Sequence, residues 1–263
     1  MPRSGSTLLC NILAQNPELH VSSTSPTANL TETLLIGMQE NPEVHCEALR
    51  DEALVKMHDA ARGMVLGWYK DHLSKTIIDK CRYWSNLGLQ FHELFPGSKM
   101  IVMVRDVKCV IASIEKAHRR KPLLTPGFRP SMTMRERIDA MIALDGIVGN
   151  SVRGMMDMKD RGLLSKERSF ICQYERLCQT PEKVLGEIYE RLGVEPFKHD
   201  FEDVKDSSVD VDGLYWYKFP HHDATGKVRP YDPTDWTNYL PEDIGGSLDR
   251  AFANYRKAFK YTS

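Results

Sequence analysis

The run Met1-Pro2-Arg3-Ser4-Gly5-Ser6-Thr7-Leu8-Leu9 concentrates residue types that bind an anion. A short Gly/Ser turn leads straight into apolar positions Leu8, Leu9, Ile12 and Leu13 at helical spacing. The first N–H groups of a helix lack intrahelical partners, and the helix dipole adds partial positive charge at the same point. Ser4, Ser6 and Thr7 add hydroxyl donors, and Arg3 adds a planar fork of N–H donors. Such a turn suits a phosphate or a sulfate. Taken alone, the stretch also reads as an ordinary serine-capped helix.

The nucleotide-hydrolase form of this loop is G-x-x-x-x-G-K-[ST], whose lysine reaches the β- and γ-phosphates. Here Ser6 follows Gly5, and the basic residue comes before the glycine. An ATP kinase or ATPase is therefore disfavoured. A second candidate is Arg105, which closes the apolar run 99–104, with Ser113 inside the helical stretch that follows. Parallel sheets place ligand-binding residues at such strand ends. Arginine offers phosphate two parallel donors and serine a single short one. The competing reading for Arg105 is a strand-end ion pair with Asp106.

The run Pro2 to Leu9 closely resembles the 5′-phosphosulfate loop of sulfotransferases that use 3′-phosphoadenosine 5′-phosphosulfate (PAPS). Its Arg-Ser-Gly form is most similar to the tyrosylprotein and carbohydrate branches; the cytosolic small-molecule branch carries Lys-Ser-Gly. The segment Met100 to Ile114 resembles the family's 3′-phosphate element, with Asp106-Val107 where Asp-Pro is usual. Asp79-Lys80, Phe95-Pro96-Gly97-Ser98-Lys99, Tyr174-Glu175-Arg176-Leu177, and Thr225 to Pro230 with Trp236 and Leu240-Pro241 are further points of likeness.

The resemblance implies a P-loop-like α/β fold and sulfuryl transfer from PAPS to a hydroxyl or amine, releasing 3′-phosphoadenosine 5′-phosphate (PAP). It implies that Arg3, Ser4, Gly5, Ser6 and Thr7 hold the 5′-phosphate and sulfonate, with Arg3 also acting in catalysis. By the same resemblance Arg105 and Ser113 bind the 3′-phosphate, Tyr174 contacts the nucleotide, and Lys227 and Arg229 bring cations on a closing loop. In the tyrosylprotein branch a Glu base follows the second strand. The corresponding stretch, Val21 to Pro26, has no carboxylate and no His. Glu32 is the candidate base and His20 a weaker one. This gap keeps open a PAP- or PAPS-binding protein without transfer activity; an atypical nucleotide kinase is a more distant alternative.

The chain has 263 residues, enough for a single α/β domain over 1–263 with a sizeable core. Lys and Arg number 35 against 36 Asp and Glu, so bulk charge points neither to nucleic acid nor to membrane. The expected partner is a sulfate acceptor of unknown class, and the chain itself is expected to be a monomer or homodimer. Six scattered cysteines form no C-x-x-C pair, and no metal site is expected. His221-His222-Asp223 lacks separated partner ligands. Absence of a signal-like or membrane-spanning stretch favours the cytoplasm. A phosphate loop normally follows a central strand, yet only Met1 precedes Pro2. Either that strand is missing or another segment fills its place.

Elements must position these residues. Apolar runs and helical periodicity predict helices over 7–15, 31–38, 84–95, 107–118, 132–161, 180–192 and 241–259, with an amphipathic stretch over 41–73. Strands are predicted over 20–23, 76–80, 99–104 and 169–174. Strand–turn–helix repetition of this kind predicts a central parallel sheet flanked by helices. Residues 198–240 read as a long functional loop.

Overall fold

The computed structural model describes residues 1–48, 53–120, 127–207 and 224–261. The chain opens with α1 (Ser6–Leu13), β1 (Leu19–Ser22), α2 (Thr27–Glu40), α3 (Pro42–Ala48) and α4 (Ala53–Trp68). Next come β2 (Thr76–Asp79), α5 (Gly88–Leu94), β3 (Met100–Val104) and α6 (Val107–Arg120). Then follow α7 (Met134–Ile142), α8 (Gly149–Asp160), β4 (Ser169–Gln173), α9 (Tyr174–Gln179) and α10 (Pro181–Leu192). The chain closes with α11 (Glu242–Ala251) and α12 (Ala253–Ala258).

Both ladders between the described strands are parallel, as the strand–turn–helix pattern requires. It occurs as two ladders among the described residues: β1 with β2, and β3 with β4. The period of two along β3 sorts its side chains between two cores. Val102 and Val104 enter one core with α6, α7, α8, α11 and α12. Ile101 and Met103 pack into the other, with α1, β1, β4 and α10. Helices thus cover both faces, which explains why β3 is apolar without alternation. On α6, Val107, Val110, Ile111 and Ile114 are all buried. Each such aliphatic side chain contributes about 1.5–3 kcal/mol, so the helix that carries Ser113 is firmly seated.

Three expected helices are broken: the stretch 84–95 opens in a 3-10 turn, Arg82–Ser85, and is α-helical only as α5. The stretch 132–161 forms α7 and α8, with Ala143 leaving helical geometry at ψ 154°. The backbone then folds tightly on itself. A Cβ at Gly149 would lie 2.0 Å from the Ala143 carbonyl oxygen. The stretch 241–259 is likewise interrupted at Phe252. Within 198–240 the described residues hold a short antiparallel bridge, Val204 to Gly226, and a 3-10 turn at Asp235–Asn238. The His221-His222-Asp223 cluster lies outside the described residues. No described helix is long and apolar enough to cross a membrane.

α6 and α7 are joined by an ion pair in which Glu115 is fully buried. Arg137 donates to both its oxygens, Nε at 2.9 Å and an η-nitrogen at 2.6 Å. Removing one partner strands a charge away from water. Arg137→Leu should therefore cost about 3–5 kcal/mol in denaturant melts, while Glu115→Leu combined with Arg137→Leu should cost much less. A double variant as unstable as the single one would show that the pair itself supplies the stability.

Candidate functional site

The turn before α1 is built by backbone geometry. Arg3 and Gly5 both adopt left-handed conformations, φ 53° and 85°. A side chain at position 5 would be strained. It would also collide, since a Cβ there would lie 2.3 Å from the Tyr174 ring. No side chain caps α1. Its first N–H groups therefore point out of the turn as a set of donors.

The opposite wall comes from the ends of β3 and β4. Val104 pairs with Gln173 in the parallel register, so Arg105 and Tyr174 leave the sheet side by side. The Arg105 guanidinium sits 4.2 Å from the Tyr174 ring centroid, a cation–π contact. It also donates to the Arg3 carbonyl at 2.9 Å. Its Nε is buried and has no hydrogen-bond partner among the described residues. Ser113, carried by α6, accepts from Arg3 Nε at 3.0 Å. Arg3, Gly5, Arg105, Ser113 and Tyr174 are thus brought together from four parts of the chain. Burial pushes the Tyr174 hydroxyl up to about 12, with Cys178 adding to the effect, so it stays a neutral donor.

The remaining loop hydroxyls divide. Ser4 is buried and donates to the Met1 carbonyl at 2.7 Å, which fixes the turn. Thr7 accepts from Lys80 Nζ at 3.2 Å, and Ser6 is half-buried at the first position of α1. Lys80 received no site role in the sequence reading. Its signal was its place just after β2, where the backbone is held by Lys80 N to Ser22 O at 3.0 Å. Asp79 beside it accepts from Tyr69, Ser25, Trp84 and Thr27, so this strand end is rigid.

The strand end carrying Arg105 is held by the C-terminal helices. Tyr255 donates to the Arg105 carbonyl at 3.0 Å. Arg256 bonds Asp106 at 2.6 Å and Asp249 at 2.7 Å. Glu175 accepts from Asp106 N and from Tyr261, and burial raises its carboxyl above the usual range. The ion pair weighed for Arg105 goes to Arg256 instead, which leaves the Arg105 guanidinium to the site.

Asn11, one turn into α1, is also unforeseen. It donates to Ala224 O at 3.0 Å and accepts from Ser207 Oγ at 3.0 Å. Both flanks of 208–223 are thereby tied to the helix behind the loop. Lys227 and Arg229, on the same C-terminal segment, are exposed, and Lys227 pairs with Glu202 at 2.7 Å. Glu32, half-buried on α2, accepts from the Tyr83 hydroxyl, and this bond with burial pushes that hydroxyl up to about 12. His20 stacks on His72 with centroids 3.7 Å apart, and burial lowers its pKa.

A family model described as "Sulfotransferase family" matches residues 1–199. Among solved structures, the chain is similar to the "Sulfotransferase Domain from the Curacin Biosynthetic Pathway". That match has 18% identity and a TM-score of 0.61, covering 97% of this chain and 94% of the other. It is also similar to the "Sulfotransferase Domain from the Synechococcus PCC 7002 Olefin Synthase". Here identity is 21% and the TM-score 0.51, over 96% and 91% of the two chains. At these identities the likeness speaks for the fold. No curated protein matches the sequence significantly.

The turn yields a direct test. Gly5→Ala should destabilise the protein through both its φ and the Tyr174 ring. On a Tyr174→Ala background the same substitution should cost measurably less in thermal melts, leaving about 1 kcal/mol for backbone strain. Equal costs on both backgrounds would show that the ring does not confine the turn.

Proposed function

This chain belongs to the sulfotransferase family, and from that premise we propose that it moves a sulfuryl group from PAPS to a hydroxyl or amine, releasing PAP. The observation that carries the reading is the buried, unpartnered Nε–H of Arg105, whose guanidinium is linked through Arg3 to Ser113, together with the uncapped start of α1. A buried donor without an acceptor is costly, and an anion supplies one. Adenosine 5′-phosphate satisfies one set of donors only. A 3′,5′-bisphosphate has an anion for each.

In this reading the α1 N–H groups, Arg3 and Lys80 take the 5′-phosphate and the sulfonate. Arg105 and Ser113 take the 3′-phosphate. Arg3 Nε now occupies the Ser113 hydroxyl, so ligand entry exchanges that bond for bonds from both residues to phosphate, in which the cation meets an opposite charge. During transfer the acceptor oxygen or nitrogen bonds to sulfur as the bond from sulfur to the 5′-phosphate oxygen breaks. Negative charge accumulates on that leaving oxygen, where fixed cations and N–H dipoles act most strongly. The rest is positioning, as in phosphoryl transfer. Lys227 and Arg229 complete the site when their segment closes over the donor, with Lys227 leaving Glu202.

The acceptor's proton requires a base. Glu32 is the proposed one: its carboxylate is oriented by Tyr83, and an oriented carboxylate is what proton abstraction needs. His20 is the second candidate, since burial favours its neutral, proton-accepting form.

Two measurements check this. Calorimetry should show the wild-type protein preferring PAP over adenosine 5′-phosphate, and Arg105→Ala losing about 2–3 kcal/mol of that preference. A variant that keeps full discrimination would place the 3′-phosphate elsewhere. Glu32→Gln should abolish transfer of radiolabelled sulfate from PAPS to acceptors used by the wild type, while PAP binding persists. Full activity in Glu32→Gln would move the role to His20 or to a base on the acceptor. PAP binding with no transfer across a broad acceptor panel would favour a binding protein.

A further inference from the structure

The segment after Gly226 runs between two fixed points. Val228 is buried and donates its N–H to the Phe201 carbonyl at 2.8 Å. Trp236 packs so closely on α11 that a Cβ at Gly245 would lie 2.4 Å from its ring. Lys108 of α6 holds the same ring, with Nζ 5.1 Å from the centroid. Between these points Arg229 is exposed, as is Lys227 just before them. Tyr231 is different: it is half-buried and turns toward α6.

The Tyr231 ring stands edge-on to Tyr174, with centroids 6.3 Å apart at 89°. Its hydroxyl lies 3.1 Å from the Cys109 thiol. Cys109 is buried in the first turn of α6, four residues before Ser113 and so on the same face of the helix. The Arg105 charge acts on both the thiol and the phenol. Tyr231 thus brings a hydroxyl to the cluster of Arg105, Tyr174 and Ser113 without any rearrangement of the segment. Burial pushes the Cys109 thiol up to about 11 and raises the Tyr231 hydroxyl above the usual phenol range. Both groups therefore stay protonated at neutral pH. A thiol is a weak partner, and a phenol can donate and accept at once. When Cys109 gives its S–H to the phenol oxygen, the phenol O–H is left to donate elsewhere.

We propose that Tyr231 donates its hydroxyl to the 3′-phosphate of the nucleotide, with Cys109 as the positioning residue that fixes the phenol from behind. The proposal rests on the reading in which Arg105 and Ser113 take that phosphate. Three separate parts of the chain then meet the same anion: the end of β3, the face of α6 and the C-terminal segment. A neutral phenol adds a charge-assisted bond without adding a charge. It also gives the C-terminal segment a contact that does not wait for Lys227 and Arg229 to turn inward.

The test is calorimetry with PAP and adenosine 5′-phosphate on the full chain and its variants. Tyr231→Phe should weaken PAP binding about tenfold to a hundredfold, the loss of one charge-assisted hydrogen bond, and leave adenosine 5′-phosphate within about twofold. Cys109→Ala should weaken PAP by less, about two- to fivefold. Because Cys109 acts through the phenol, the double variant should be no weaker than Tyr231→Phe alone. Phosphorus NMR of bound PAP supplies a second readout. The 3′-phosphate resonance should differ between wild type and Tyr231→Phe, and the 5′-phosphate resonance should not. Full PAP preference and an unmoved 3′ resonance in Tyr231→Phe would overturn the proposal and leave Arg105 and Ser113 in place. Equal losses for both nucleotides would also overturn it, since the ring and not the hydroxyl would then be the contact. A wild-type protein with no preference for PAP would remove the 3′-phosphate reading itself, and the proposal with it.

Discussion

The Arg105 guanidinium is held between the Tyr174 ring and the Arg3 carbonyl, and its buried Nε–H has no partner among the described residues. Burying such a group costs several kcal/mol unless its donors are met. The cation–π contact with the ring returns part of that, on the order of 1–2 kcal/mol. The same ring lies over Gly5, so it sets both the position of the cation and the path of the loop. A left-handed glycine, an aromatic lid and a strand-end arginine therefore form one unit.

What holds this unit is mostly distant in sequence. The C-terminal helix places Tyr255 and Arg256 on Arg105 and Asp106. Arg256 also reaches Asp249, which takes Lys108 at 2.9 Å, so the start of α6 is locked into the same network. α6 in turn carries Ser113. The two ends of the described chain are thus linked through the cluster at Arg3, Arg105 and Ser113. Loosening the last helix would reach the loop through a short series of bonds, each to a neighbour that packing has already fixed.

The sequence exposed these parts unequally. Strand ends and the loop were legible because they depend on local signals: an apolar run closing at Arg105, and a Gly/Ser turn opening α1. Ser113 was singled out by the resemblance of the segment Met100 to Ile114, and α6 carries it to within hydrogen-bond distance of Arg3. The break between α7 and α8 was hidden, because Gly146 and Gly149 read as tolerated helix glycines; only the folded backbone shows how closely they approach residues 140–143. Asn11 was hidden because its partners lie near residues 207 and 224. Lys80 had the right type and place, but its contact with Thr7 depends on how β2 sits against α1. Division of the sheet into two ladders is a property of edges, which no single strand's composition reports.

The central claim is that the loop and the end of β3 form one site for a 3′,5′-bisphosphate. The most direct measurement is the melting temperature of the full chain with PAP and with ATP at equal concentration. A ligand that binds only the folded state adds about 2.7 kcal/mol at a hundredfold excess over its dissociation constant. For a chain of this size that is roughly 5–11 °C, at about 2–4 °C per kcal/mol. The account predicts a shift of that order with PAP and a much smaller one with ATP, which lacks the 3′-phosphate. No shift with PAP in a sample shown to be folded, or a shift with ATP alone, would contradict it.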